Sequence, residues 1–308
     1  MDMTIPHALV KASQKIADYD DGRTIDFFCS EQLSATYAQE QHAVWLRMTP
    51  QPRPSFNPEL LRDLGTYCRL LGETQGSVQC RGVEHPVEYA VLASATPHVF
   101  NLGGDLALFM RLIEAGDRAG LTQYGRACVE VLYSNYRGHG LPILTISLVQ
   151  GECLGGGFEA ALSSDIIVAE RSSRFGFPEI LFNLFPGMGA YSFLERRIGQ
   201  KLTEELISGG KIHSADDMLR LGVVDVVVDD GEGESAVDAH IRGNRRSRNG
   251  LTGIARARRR VRGVEFEELM DVVRIWVDAA LNLTSRDLKL MQRLVNRQND
   301  LEVAHGVH

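Results

Sequence analysis

The run Pro142-Ile-Leu-Thr-Ile-Ser-Leu-Val149 constrains the fold more than any other stretch of this chain. It is almost unbroken apolar sequence, and it leads through Gly151 and Gly155-Gly156-Gly157 into Phe158-Glu-Ala-Ala-Leu162. A strand that is apolar on both sides must be covered on both sides, as a central strand of an α/β sheet is. Ala43–Met48, Glu88–Ala93, Asp165–Ala169 and Val223–Val228 read as further strands. Between them the sequence predicts helices. One starts at Pro58, with Asn57 as its cap, and runs to about Gly72. Others cover Leu106–Ala115, Gly120–Tyr136, Ala190–Ile198 and Thr203–Ser208, and Ser214 caps a short one. Strands alternating with helices through residue 230 predict an α/β core. Residues 1–42 read as a polar, partly helical arm. Residues 231–308 read as helices, with apolar stripes that include Trp276 and Leu294. No internal sequence repeat is visible.

With 308 residues, 44% of them apolar, the chain can bury a large core, and collagen-like or wholly disordered classes are excluded. No apolar run approaches the ~18–20 residues of a membrane span. The N-terminus shows no basic-then-apolar signal segment. The five cysteines are scattered without CxxC spacing and read as reduced thiols, which predicts a cytoplasmic protein. A net charge of −7 argues against general nucleic-acid binding. Yet Arg242–Arg262 holds nine arginines and no acidic residue. That segment reads either as a solvated helix face or as a dock for an anionic partner.

Several chemistries lack their residues. There is no GxSxG elbow, no HExxH and no GxxxxGK[ST] loop. Gly187-Met-Gly189 begins like a dinucleotide loop but lacks its third glycine and its leading strand. The histidines are dispersed, so no metal site is expected. His139 paired with Cys128 or Cys153 is a weaker reading than buried structural thiols.

What remains is two glycine clusters and two glutamates. Gly103-Gly104 and Gly155-Gly156-Gly157 each follow an apolar strand and precede a helix. Helix N-termini carry unpaired N–H groups, and glycine lets a carbonyl approach them. Brought together, two such sites would form an oxyanion hole. Glu159 and Glu179 lie in apolar surroundings that should raise their pKa toward neutrality and allow them to divide acid and base roles. Singly, each has a plain alternative: charge complementarity at a helix start for Glu159, and a surface turn for Glu179.

The run from Leu141 to Leu194, with VFNLGGDLALF before it and HSADDMLRLGVVDVVV after it, resembles the crotonase, or enoyl-CoA hydratase, superfamily. The resemblance implies an α/β fold with a ββα spiral core over residues 43–230 and a C-terminal helical region over 231–308. The latter would serve in trimerisation and as a lid on the acyl pocket. It also implies oxyanion donors at the N–H groups of Gly104 and Gly156, and catalytic carboxyls at Glu159 and Glu179. NLGGDL, GGGFEAALS and FPEILFNLFPGMGAYSFL together are similar to the diffusible-signal-factor synthases of the RpfF type. Those enzymes dehydrate 3-hydroxyacyl chains on acyl carrier protein to a cis-2-enoyl thioester. They then hydrolyse it, releasing a fatty-acid quorum-sensing signal. The resemblance places Leu154, Met188, Trp276 and Leu294 along the acyl pocket, although plain packing accounts for them equally well.

These expectations assign Glu179 as the base for the α-proton and Glu159 as the acid for the departing hydroxyl. No cofactor is needed beyond the phosphopantetheine arm that carries the substrate on acyl carrier protein or CoA. Arg242–Arg262 would dock the acidic carrier. A homo-oligomer, trimer or dimer of trimers, is implied, and a sensor kinase is a possible partner. Two rivals share the same residues: an ordinary enoyl-CoA hydratase, and a crotonase-fold regulatory protein.

Overall fold

The structure is a computed structural model that describes residues 23–304, with side chains described to residue 296. Three strands open it: β1 (Thr24–Cys29), β2 (Leu33–Ala38) and β3 (Ala43–Met48), joined as an antiparallel meander. β4 (Ser77–Cys80) and β5 (Val83–Pro86) form a separate hairpin. The chain then alternates between two sheets. β6 (Tyr89–Ser94), β8 (Leu144–Val149), β10 (Ile166–Glu170) and β13 (Val226–Val228) extend the meander with parallel strands, in the order β1-β2-β3-β6-β8-β10-β13. β7 (Val99–Asn101), β9 (Glu152–Leu154), β11 (Arg174–Gly176) and β12 (Ile212–Ser214) form a second sheet, in the order β12-β11-β9-β7.

Helices α1 (Pro58–Glu73), α2 (Leu106–Glu114), α3 (Arg118–Tyr136) and α4 (Gly156–Leu162) pack in the first half. They are followed by α5 (Ala190–Ile198), α6 (Gln200–Gly209) and α7 (Ala215–Arg220). The C-terminal part is α8 (Gly233–Asn244), α9 (Arg248–Val261), α10 (Phe266–Leu281) and α11 (Ser285–Ala304). Three times the chain lays one strand in each sheet and then turns into a helical segment: β6–β7–α2, β8–β9–α4, and β10–β11 followed by the 3₁₀ turn Pro178–Phe182. This is the ββα spiral that the resemblance implies.

Local chemistry explains the main elements. β8 is buried at all six positions, as a strand covered on both faces must be. Asn57 caps α1 by accepting the Leu60 N–H at 2.8 Å, with Pro58 in the first turn. Ser214 and Asp217 form a reciprocal capping box on α7. One side of the seven-stranded sheet joins the helices in the main core, where Phe158 stacks on Phe177 at 4.8 Å. The other side carries Trp45, Val91, Ile146 and Leu148, covered by Val237 and Ile241 of α8 and Ala255 of α9.

One reading needs correction. The arm expected to be partly helical is, over residues 24–38, two strands of the large sheet; residues 1–22 lie outside the described residues. The physical reason is period two: Leu33-Ser-Ala-Thr-Tyr-Ala38 buries Leu33, Ala35 and Tyr37 and leaves Ser34, Thr36 and Ala38 less buried. The basic segment Arg242–Arg262, in turn, is largely tied into the fold. Arg258 and Arg259 reach Asp165 at 2.5 and 2.6 Å, Arg248 reaches Glu88 at 3.0 Å, and Arg262 reaches Glu195 at 3.7 Å. Arg242 pairs with Asp238 one turn away. These charges fasten α8 and α9 against the sheet and its neighbours.

Candidate active site

The first glycine loop hangs between β7 and α2. Gly103 has φ +97°, which glycine adopts freely. Its N–H donates to Asn101 Oδ1 at 2.8 Å, and its carbonyl accepts the Phe56 N–H at 2.8 Å. Asp105 then caps α2, accepting from the Leu108 N–H at 3.0 Å. The second glycine loop ends β9 and starts α4. Gly155 has φ +51°, and Gly156 is the first residue of the helix, ahead of its first intrahelical bond. The two loops touch. A Cβ on Gly103 would sit 2.9 Å from the Gly156 nitrogen, and one on Gly156 would sit 3.5 Å from the Gly104 nitrogen. A Cβ on Gly104 would meet the Phe109 ring at 2.6 Å. The close backbone approach therefore requires glycine at Gly103. Gly104 and Gly156 both line one cavity of about 380 Å³.

The glutamates line the same cavity. Glu159 is 1% exposed, and its Oε1 accepts the N–H groups of Met188 at 2.8 Å and Ala190 at 2.9 Å. Burial pushes its pKa up to about 7, against the opposing pull of those amides. Glu179 sits on the 3₁₀ turn after β11, and a Cβ on Gly155 would lie 2.5 Å from its Oε1. Its Oε2 is buried without a hydrogen-bond partner among the described residues. Burial, and then repulsion from Glu159, push its pKa up to about 8. The backbone donors favour the anion at Glu159, while nothing comparable supports it at Glu179.

The cavity walls are apolar. Leu154, Met188, Trp276 and Leu294 line it together with residues that sequence reasoning did not single out, among them Phe109, Tyr124, Cys128 and Leu132. All eight residues expected from the sequence thus border one space, contributed by both glycine loops, the 3₁₀ turn, the segment before α5, and α10 and α11. Trp276 is held edge-on by Phe109 at 5.1 Å and packs so closely on Gly187 that any side chain at that glycine would collide with it. The Gly187-Met-Gly189 glycines thus serve packing. Cys128 is no ready nucleophile, because burial raises its thiol pKa strongly. His139 bonds Ser134 through Nδ1 at 3.0 Å. Arg174 is the one basic residue among those lining the cavity, and Glu152 faces it across the β9–β11 ladder. No residue of Arg242–Arg262 lines it. Tyr124 carried no sequence signal, since a tyrosine inside a helix looks like ordinary core.

Comparison with known proteins follows the same lines. The family profile described as enoyl-CoA hydratase/isomerase matches residues 73–245, more than half of the chain. The fatty acid oxidation complex subunit alpha of Pseudomonas savastanoi pv. phaseolicola is 38% identical over 141 residues, which is 45% of this chain and 19% of that protein. Its counterpart in Pseudomonas syringae pv. tomato is 36% identical over the same length. The matched part spans about a fifth of these curated relatives. Among solved structures, Pseudomonas aeruginosa DspI superposes with a TM-score of 0.64 at 23% identity, covering 77% of this chain and 91% of its own. Human mitochondrial delta3-delta2-enoyl-CoA isomerase gives 0.71 at 18%, covering 88% and 99%. At such identities the solved structures speak for the fold. Among the described residues, no helix is long and apolar enough to cross a membrane.

Proposed function

Because the chain belongs to the enoyl-CoA hydratase/isomerase family, we propose that it moves water out of, and into, the C2–C3 bond of an acyl thioester. The observation that carries this is the gathering of Glu159, Glu179, Gly104 and Gly156 on one apolar cavity. The thioester oxygen lies between the two glycine amides. In elimination, ionised Glu179 takes the C2 proton, and the freed electron pair moves onto the thioester oxygen as an enolate held by the two N–H groups. The enolate collapses and expels the 3-hydroxyl, which leaves as water with a proton from Glu159. Glu179 then holds the proton and Glu159 is the anion. Addition of water runs the same steps backward.

The motif resemblance supports a finer reading. The substrate is a 3-hydroxyacyl chain on acyl carrier protein, the product of elimination is a cis-2-enoyl thioester, and hydrolysis follows, releasing an unsaturated fatty-acid signal. After elimination the anionic Glu159 can take a proton from water while that water attacks the carbonyl. The carbon–sulfur bond then breaks, and the thiolate leaves with the proton from Glu179. The carrier would meet the rim that holds Arg174. A second reading, an ordinary enoyl-CoA hydratase, is favoured by the likeness to fatty acid oxidation subunits.

Mass spectrometry separates these readings. The protein is incubated with a 3-hydroxyacyl carrier protein and, in parallel, with the 3-hydroxyacyl-CoA of the same chain length. Free 2-enoic acid from the carrier substrate is the expected result. An intact enoyl-CoA in equilibrium with its hydrate, and no free acid, would leave only the hydratase. No turnover of either would remove the enzymatic reading and favour a regulatory protein.

A further inference from the structure

Three consecutive amides in the first glycine loop meet different fates. The Gly103 N–H is held by Asn101 Oδ1, and the Asp105 N–H donates to the Tyr124 hydroxyl oxygen at 3.3 Å. Between them, the Gly104 N–H has no acceptor among the described residues, and Gly104 lines the cavity. The Tyr124 hydroxyl in turn donates to the Phe56 carbonyl at 2.5 Å. The Phe56 N–H donates to the Gly103 carbonyl at 2.8 Å. That last bond matters for orientation, because the Gly103 carbonyl and the Gly104 N–H belong to one planar trans peptide and point in opposite directions. Whatever holds that carbonyl outward aims that N–H at the cavity.

Tyr124 is well placed to hold it. It is a buried residue of α3, and its ring rests edge-on against Phe109 at 4.8 Å. Burial raises its pKa well above the ordinary value, so it keeps the proton that it donates. Resting on the oxyanion-hole reading above, we infer that Tyr124 is the positioning residue of that hole. Through Phe56 on one side and Asp105 on the other, its hydroxyl fixes the angle at which the Gly104 N–H meets the substrate oxygen. Tyr124→Phe retains the ring contact and removes the hydroxyl, with this clamp and its contact to the Cys128 thiol. The Phe56 carbonyl and the Asp105 N–H then lose the hydroxyl that joins them, and only the backbone bridge between Phe56 and Gly104 remains.

The test uses the full-length protein with crotonyl-CoA as the probe, read by the C=O stretching frequency of the bound thioester and by steady-state hydration. In the wild type the two amides polarise the carbonyl and lower its frequency. In Tyr124→Phe the frequency is expected to return toward that of the free thioester. kcat should fall about 10–100-fold, the scale of a misplaced catalytic group, with KM within about twofold and little change in Tm. Replacing Tyr124 by 4-aminophenylalanine returns a donor to the same spot and is expected to recover part of both the shift and the rate. A wild-type shift that Tyr124→Phe leaves intact, at unchanged kcat, overturns the inference and leaves the proposed function standing. Absence of any shift in the wild type overturns both.

Discussion

A buried carboxyl group gives up its proton late, and Glu159 and Glu179 do so at about 7 and about 8. Water transfer needs one of them charged and the other neutral. The rate is therefore expected to follow a bell against pH with both limbs near neutrality, the apparent values belonging to the pair. Glu159→Gln and Glu179→Gln should each lower kcat by about 10²–10⁴ and flatten the bell. A pH–rate series on the three proteins checks this, and an unchanged bell in either variant would remove that residue from the chemistry. Gly103→Ala places a methyl group against the Gly156 nitrogen at a backbone angle that alanine resists. It should cost about 10²–10³ in kcat, comparable to losing an oxyanion donor, as single-turnover kinetics would show. At this scale the sequence was informative about the glutamates and glycines, because residue type and motif carry their chemistry. It was silent about Tyr124 and Asn101, whose hydrogen bonds to the loop backbone depend on how the chain closes in space.

Among the elements, α9 shows how ionic contacts can seat a helix. Few of its own side chains are buried, chiefly Thr252 and Ala255, while Arg258 and Arg259 converge on Asp165. Asp165 also accepts the Thr145 N–H at 3.0 Å, which links the helix to β8. Asp165→Ala would leave Arg259, only 9% exposed at its side chain, as an unpaired interior charge. A loss of about 3–5 kcal/mol is expected, measurable by urea denaturation. A loss below about 1 kcal/mol would mean that the pairs do not seat α9. These partners lie far apart in sequence, so the run of arginines does not by itself show them. Strands differ in the same way. β3 and β8 were legible because long apolar runs name themselves. β9, β11 and β12 are three residues each, too short for a periodic signal, and were not seen. The ββα repetition is likewise invisible as a sequence repeat, since its three turns share architecture and not residues.

For the whole molecule, the two carboxyls tax stability in a pH-dependent way. Their folded pKa values lie above the ordinary 4.5, so the folded state binds more protons than the unfolded chain as pH rises from about 4.5 to about 8. Their contribution is neutral below that window and increasingly destabilising through it. Glu179→Gln should therefore gain stability relative to wild type at pH 9 compared with pH 5, as thermal unfolding at the two values would show. An equal difference at both would contradict the assignment. The spiral has a further effect. Its first turn brings Gly104, its second Gly156 and Glu159, and its third Glu179. No single turn of the spiral holds the reaction, so the site is complete only when all three turns are stacked. Turnover thereby becomes a sensor of complete assembly, and each coil of the chain can acquire new chemistry without rewriting the other two.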